Sequence, residues 1–304
     1  MSTIRYQPDA REVEAAPSET LLEAAVRAEI PMIHTCGSLA RCSTCLVAVL
    51  EGLENCTPRT DSEQAVADHL KFKPMMRLAC QTRATGPVVL RRVVIDPEDE
   101  ALARQSAANL SVETAGEERD LAIMFADIRG FTRYAENLLP YDVIHTLNRY
   151  YSKIGPVIQN HGGVIDNYMG DGILAVFGLQ EESNHSVTNA IRAGLGMLDA
   201  VEQMKPYFHA LHGRVFDIGI GLHYGRVVVG SLGWGPDKRC TVVGATVNFA
   251  SRVEVANKTA GTRFLISEAA YQRAGKEVQV NECPPWEFKG LSGLKQIYEV
   301  LGAG

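Results

Sequence analysis

A chain of 304 residues is long enough for two domains, each able to bury a core of its own. With 46% apolar and 22% charged residues and no low-complexity tract, it is neither disordered nor fibrous. The net charge of −6 is not that of a nucleic-acid binder. No apolar run is long enough for a bilayer and no signal peptide is visible. The expectation is a soluble, cytoplasmic protein with no membrane or nucleic-acid partner. The acid is unevenly placed. Residues 1–96 carry 11 basic and 12 acidic side chains, residues 121–304 carry 17 of each, and residues 97–120 carry 2 and 7. The excess therefore collects between two nearly neutral halves, which suggests domains at 1–96 and 118–304 joined by an acidic linker, 97–117.

Residues 4–15 alternate weakly, as a hairpin does. Pro17-Ser18-Glu19-Thr20 opens a helix running to about Glu29, with Ser18 in place to cap it. A small-residue loop, His34 to Cys45, precedes a strand over Leu46–Leu50. Thr60-Asp61-Ser62-Glu63 has the capping-box form before a second helix, and Val88–Ile95 reads as a closing strand. Five of the seven cysteines lie before residue 81, and a reducing compartment argues against a disulfide framework. Cys36, Cys42, Cys45 and Cys80 are spaced C-x5-C-x2-C-x34-C. Three thiolates in one loop and a distant fourth can wrap a compact cluster, whereas structural zinc more often uses two separated pairs. This stretch resembles a [2Fe–2S] ferredoxin of the adrenodoxin kind. The resemblance implies a β-grasp fold and makes Cys36, Cys42, Cys45 and Cys80 the iron ligands; Cys56 matches no ligand position and reads as a buried thiol.

Glu98 to about Val112 reads as a short helix in the linker. Beyond it the elements follow in mixed order. Leu121–Asp127 is a buried strand, and Tyr141–His161 a long helix. Val164–Met169 and Ile173–Phe177 form a hairpin closed by Gly170-Asp171-Gly172, and Ser186–Met204 is a second long helix. Phe216–Leu222 and Val227–Ser231 read as another hairpin, folded around His223-Tyr224-Gly225-Arg226. A helix over Ala245–Ala256 follows, and strands near Trp286–Phe288 and Gln296–Leu301 end the chain. Helices on one face of a mainly antiparallel sheet give an α+β fold. A carboxylate at a strand end, Asp127, and another in a neighbouring turn, Asp171, can share hard cations such as Mg²⁺ or Mn²⁺ on a nucleoside triphosphate.

Phe125-Ala126-Asp127-Ile128-Arg129-Gly130-Phe131-Thr132, Met169-Gly170-Asp171-Gly172 and Val243-Gly244-Ala245-Thr246-Val247-Asn248-Phe249-Ala250-Ser251-Arg252 together resemble the class III nucleotidyl cyclase catalytic domain, a ferredoxin-like α/β sandwich. The resemblance covers about residues 118–302. It implies conversion of ATP to 3′,5′-cyclic AMP and pyrophosphate, with two Mg²⁺ or Mn²⁺ ions held by Asp127, Asp171 and the Ile128 carbonyl. It makes Arg252 the transition-state stabiliser and Asn248 the ribose-positioning residue. Phosphate contacts would come from Lys289, Arg226 and the Arg129–Phe131 amides at a helix start, Gly130 and Phe131 among them. Asn167 stands where adenylyl cyclases carry lysine against adenine N1 and guanylyl cyclases glutamate; Thr241 is the other base-reading position. Both side chains can donate and accept, so neither excludes guanine, and GTP or relaxed specificity stays open. One catalytic domain per chain implies a homodimer with composite sites. Fusion to a cluster domain suggests redox control and a redox partner or electron donor. The alternatives are a catalytically degenerate cyclase fold acting as a binding protein, its cluster a staple, and an electron carrier controlled by the second domain.

Overall fold

Five strands make the sheet of the first unit, Met1–Gly116, and a larger sheet belongs to the second, Glu117–Gly304. The computed structural model describes residues 1–93, 116–180, 185–233, 237–275 and 278–303. The helix expected over Glu98–Val112 lies outside the described residues.

In the first unit β1 (Ser2–Gln7) and β2 (Arg11–Ala15) form the expected hairpin. β3 (Leu46–Glu51), β4 (Met76–Leu78) and β5 (Val88–Arg92) complete the order β2-β1-β5-β3-β4, with β5 parallel to β1. Thr20, not Ser18, caps α1 (Leu21–Arg27): its hydroxyl accepts from the Glu23 N–H while the Glu23 carboxylate accepts from its own N–H. The helix starts there because Leu21, Leu22, Ala24 and Ala25 are the first residues that bury against the sheet. Thr60 caps α2 (Asp61–Leu70) as expected. Glu63, however, does not reach back to close the box. Its side chain is 0% exposed and takes a bidentate bond from Arg77, 2.9 Å at each arm, and another from the Leu78 N–H at 2.8 Å.

In the second unit β6 (Glu117–Ile128), β7 (Gly163–Met169), β8 (Gly172–Phe177), β9 (Ile218–Leu232), β11 (Phe264–Ser267), β12 (Val278–Glu282) and β15 (Ile297–Ala303) lie in the order β12-β15-β11-β9-β6-β8-β7, with β10 (Arg239–Val243) paired to β9. Only the β11–β9 pairing is parallel among the described ladders of this sheet. Ala122, Met124, Ala126 and Ile128 of β6 pack toward α4 (Pro140–Asn160) and α5 (Ser186–His212); Leu121 and Ile123 pack the other way, with Ala250 of α6 (Ala245–Ala260). Each fully buried Ile or Phe there contributes about 2–3 kcal/mol. α3 (Phe131–Ala135), α7 (Glu268–Ala274) and the short pair β13 (Trp286–Glu287) and β14 (Leu294–Lys295) complete the unit. Helices thus cover both faces rather than the single face expected.

The hairpin expected around His223–Arg226 is instead the middle of one fifteen-residue strand, β9. It runs against β6 without interruption from Glu117↔Val229 to Ile128↔Ile218; a ladder that long holds Gly225 extended opposite Leu121. The hairpin partner of β9 is β10, which sequence reading missed. α5 also passes Met204 and Pro206 to reach His212. Among the described residues no helix is long and apolar enough to cross a membrane.

Glu63→Gln would leave Arg77 buried without its counter-charge, at about 3–5 kcal/mol. Hydrogen exchange on the whole chain should show loss of protection at Leu78 and its neighbours, with Leu121–Ala126 unchanged. Equal protection of Leu78 in the variant would contradict this role for the pair.

Candidate active site

β6 delivers Asp127 to the end of the sheet, and β8 delivers Asp171 beside it. The β7–β8 hairpin pairs Met169 with Gly172, leaving Gly170-Asp171 as its two-residue turn. Gly170 takes φ +65°, which a glycine in the first central position allows. The Tyr151 hydroxyl donates to the Gly170 carbonyl, and its ring packs on Tyr168 at 4.5 Å, tying the turn to α4. The carboxyl groups of Asp127 and Asp171 meet within hydrogen-bonding range. Burial first, then the charge of Asp171, pushes Asp127 up to about 7.

A third carboxylate was missed. In the β6–β9 ladder Asp127 faces Gly219. A Cβ on Gly219 would lie 2.6 Å from Glu254 Oε1 and 3.4 Å from an Arg129 nitrogen, and a Cβ on Gly221 would strike the α6 backbone. The two glycines thus let α6 sit directly on β9, so that Glu254 lies behind Asp127. Burial chiefly, with Asp127 next, raises Glu254 to about 7. Only the two glycines flanking Ile220 hinted at so close a helix. Among the described residues no three acidic, His or Cys groups converge on a single-metal site; the two aspartates, with a backbone carbonyl such as Ile128's, are the oxygens available to a cation.

Arg252 lies on the same helix, two residues before Glu254 and hence about 200° around the axis. Its guanidinium instead approaches the Lys289–Gly290 turn, 3.6 Å from where a Gly290 Cβ would stand. Asn248, one turn earlier on the Arg252 face, is exposed, as is Lys289. Arg226 is exposed but already held by Asp120, at 2.9 Å on two arms, and by Glu118. Of the amides at the α3 start, that of Arg129 is committed to the Asp217 carbonyl, while Gly130 stands at the cap in a left-handed conformation and Phe131 begins the helix. Asn167 and Thr241 come together at another place: Arg239 bonds Asn167 Oδ1 at 3.3 Å and Thr241 bonds Asp166 at 2.7 Å.

In the first unit the four thiols interact in two pairs, Cys36 with Cys42 and Cys45 with Cys80, and the charge of Cys42 also acts on Cys45 and Cys80. Donation from Cys36 lowers Cys42 to about 5, and donation from Cys45 lowers Cys80 to about 7; the donors are raised. Gly37, Ser38 and Ala40 all take positive φ, two of them non-glycine, a strained loop of the kind kept where backbone N–H groups must turn inward. Backbone donors at Leu39, Arg41 and Thr44 reach the sulfurs of Cys36 and Cys42, and Gln81 reaches Cys80. Two thiol pairs ringed by N–H donors suit a two-iron cluster better than one tetrahedral ion. Cys56, half-buried rather than buried as expected, donates to the Gly52 carbonyl and takes no part.

Residues 113–301, more than half of the chain, match the adenylate and guanylate cyclase catalytic domain. The chain belongs to the adenylate and guanylate cyclase family. Residues 4–85 match the 2Fe-2S iron-sulfur cluster binding domain. An adenylate cyclase of Anabaena cylindrica is 34% identical over 172 residues, which are 55% of this chain and 33% of that protein. The chain thus spans about a third of that relative's length. Among solved structures, the guanylyl cyclase Cya2 is 35% identical with a TM-score of 0.59, covering 62% of this chain and 95% of that one. The adenylyl cyclase CyaB of P. aeruginosa is 26% identical with a TM-score of 0.58, covering 62% and 97%. Relatives of this cyclase domain thus carry either nucleotide name.

Proposed function

We propose that this family member is an adenylyl cyclase whose active sites are completed between two copies of the chain, and that its first unit holds a [2Fe–2S] cluster on Cys36, Cys42, Cys45 and Cys80. The observation that carries the first part is the division of α6. Glu254 backs Asp127 within one subunit while Asn248 and Arg252 point away from it, so carboxylates and cations of one copy cannot meet on one triphosphate. A head-to-tail homodimer brings the Asp127–Asp171 pair of one subunit to Asn248, Arg252 and Lys289 of the other.

Two Mg²⁺ or Mn²⁺ ions on Asp127, Asp171 and the Ile128 carbonyl would supply activation of the ribose 3′-hydroxyl and charge neutralisation on the triphosphate. The chain's own groups do the rest. Asn248 orients the ribose so that the 3′-oxygen attacks the α-phosphorus in line; that bond forms as the bond to the pyrophosphate oxygen breaks. Arg252 stabilises the charge gathering on the α-phosphate, and Lys289 and the Gly130–Phe131 amides hold the departing phosphates. Arg226 would add to them only by loosening its pairs with Asp120 and Glu118. Asn167 and Thr241 read the base.

Asp127→Ala and Arg252→Ala should each lower cyclic AMP formation by roughly 10²–10³ or more. Mixed and refolded together they should recover up to about a quarter of wild-type activity, because one heterodimer site is intact. No recovery beyond the sum of the separate variants would refute the composite site. The fusion further suggests that the redox state of the cluster, set by an electron donor, biases dimer geometry. Rates with the cluster oxidised, reduced and removed by Cys80→Ser should then differ; three equal rates would leave catalysis standing and end this regulatory reading.

A further inference from the structure

Asn and Thr can each donate or accept, so the two base-reading side chains alone leave adenine and guanine open. We propose that Arg239 and Asp166 remove that freedom and fix the pair for adenine; this rests on the cyclase reading above and deepens it.

The directions follow from chemistry. A guanidinium has donors only, so the Asn167 atom facing Arg239 at 3.3 Å must be the amide oxygen. The Asn167 NH₂ is thereby turned outward, and it has no acceptor among the described residues. A carboxylate only accepts, so Thr241 must spend its single proton on Asp166, at 2.7 Å. The Thr241 oxygen then offers lone pairs alone. Asn167 has become a donor and Thr241 an acceptor.

The backbone arranges both contacts. The β7 register shifts between Ile165 and Asn167, and a bulge of this kind turns consecutive side chains toward one side. Arg239 and Thr241 sit two apart on β10 and share a face. β10 is paired to β9, with Val242 in one cluster with Leu121, Ile123, Leu174 and Val176, and the two side-chain hydrogen bonds join it to β7.

With Asn167 at ring position 1 and Thr241 at position 6, adenine fits at both: N1 accepts from the amide and the 6-amino group donates to the hydroxyl oxygen. Guanine in the same pose is mismatched at both, since N1–H meets a donor and O6 meets a lone pair. A mismatch of one such contact is worth about tenfold in preference. Arg239 and Asp166 are therefore positioning residues that set base specificity.

The test compares kcat and KM for ATP, GTP and ITP with Mn²⁺, products identified by mass, alongside equilibrium binding of 3′-deoxy-ATP and 3′-deoxy-GTP. Wild type should favour ATP, and ITP, which shares O6 and N1–H with guanine, should behave as GTP does. Asp166→Asn and Arg239→Gln, whose amides can both give and take hydrogen bonds, should each narrow the ATP-to-GTP ratio about tenfold, chiefly through KM. Arg239→Lys, which keeps donors only, should restore the preference. A wild-type preference for GTP, or ratios in both variants within about twofold of wild type, overturns the inference. If neither nucleotide is cyclised, the cyclase reading fails, and the binding ratios of the 3′-deoxy nucleotides still decide the polarity.

Discussion

Asp127 and Asp171 are brought together at the end of the sheet, both half-buried. Two carboxylates so placed cannot both ionise cheaply, and burial pushes Asp127 up to about 7. Glu254 adds a third acidic group behind them. Such repulsion is relieved by a proton or by a bound cation. The twelve-residue β6–β9 ladder fixes Asp127 opposite a glycine, the hairpin turn fixes Asp171, and Tyr151 pins the turn from α4.

The helix α6 then divides the chemistry. Because Gly219 and Gly221 have no side chains, α6 lies flat on β9 with Glu254 inward; its opposite face carries Asn248 and Arg252 away from the aspartates of the same chain. In the proposed dimer one helix would therefore back one subunit's carboxylates and serve the other subunit's triphosphate. The first unit solves a related problem with softer donors. Left-handed residues at 37, 38 and 40 turn N–H groups toward the thiols, and the buried Glu63–Arg77 pair holds the strand from which Cys80 is reached.

Much of this was legible in the residues. The apolar run before Asp127, the glycine-flanked Asp171, the four-cysteine spacing and the Asn248–Arg252 interval all state local rules of backbone or ligand geometry. Long-range pairing was not legible. Gly225 read as a turn, and only the β6 ladder makes it part of a strand. Glu63 read as half of a capping box, but Arg77, fourteen residues on, offered it a bidentate partner. Glu254, Arg239 and Asp166 carried no signal, because their roles depend on what a second element places against them. The base remained open in the sequence for the same reason: two ambivalent side chains acquire a polarity only from neighbours that are not.

The central claim is that Asp127 and Asp171 form a cation site for which protons compete. Asp127 lies at about 7, so below that pH it holds a proton that a metal must displace; Mn²⁺ affinity should fall as pH drops through 7 and level off above about 8. Calorimetric titration of the whole chain with Mn²⁺ and 3′-deoxy-ATP, in buffers of differing ionisation enthalpy from pH 6 to 9, measures both quantities. Proton release near pH 7 that disappears in Asp127→Asn is the expected result. Manganese binding without proton release, and unchanged by that substitution, would contradict the account.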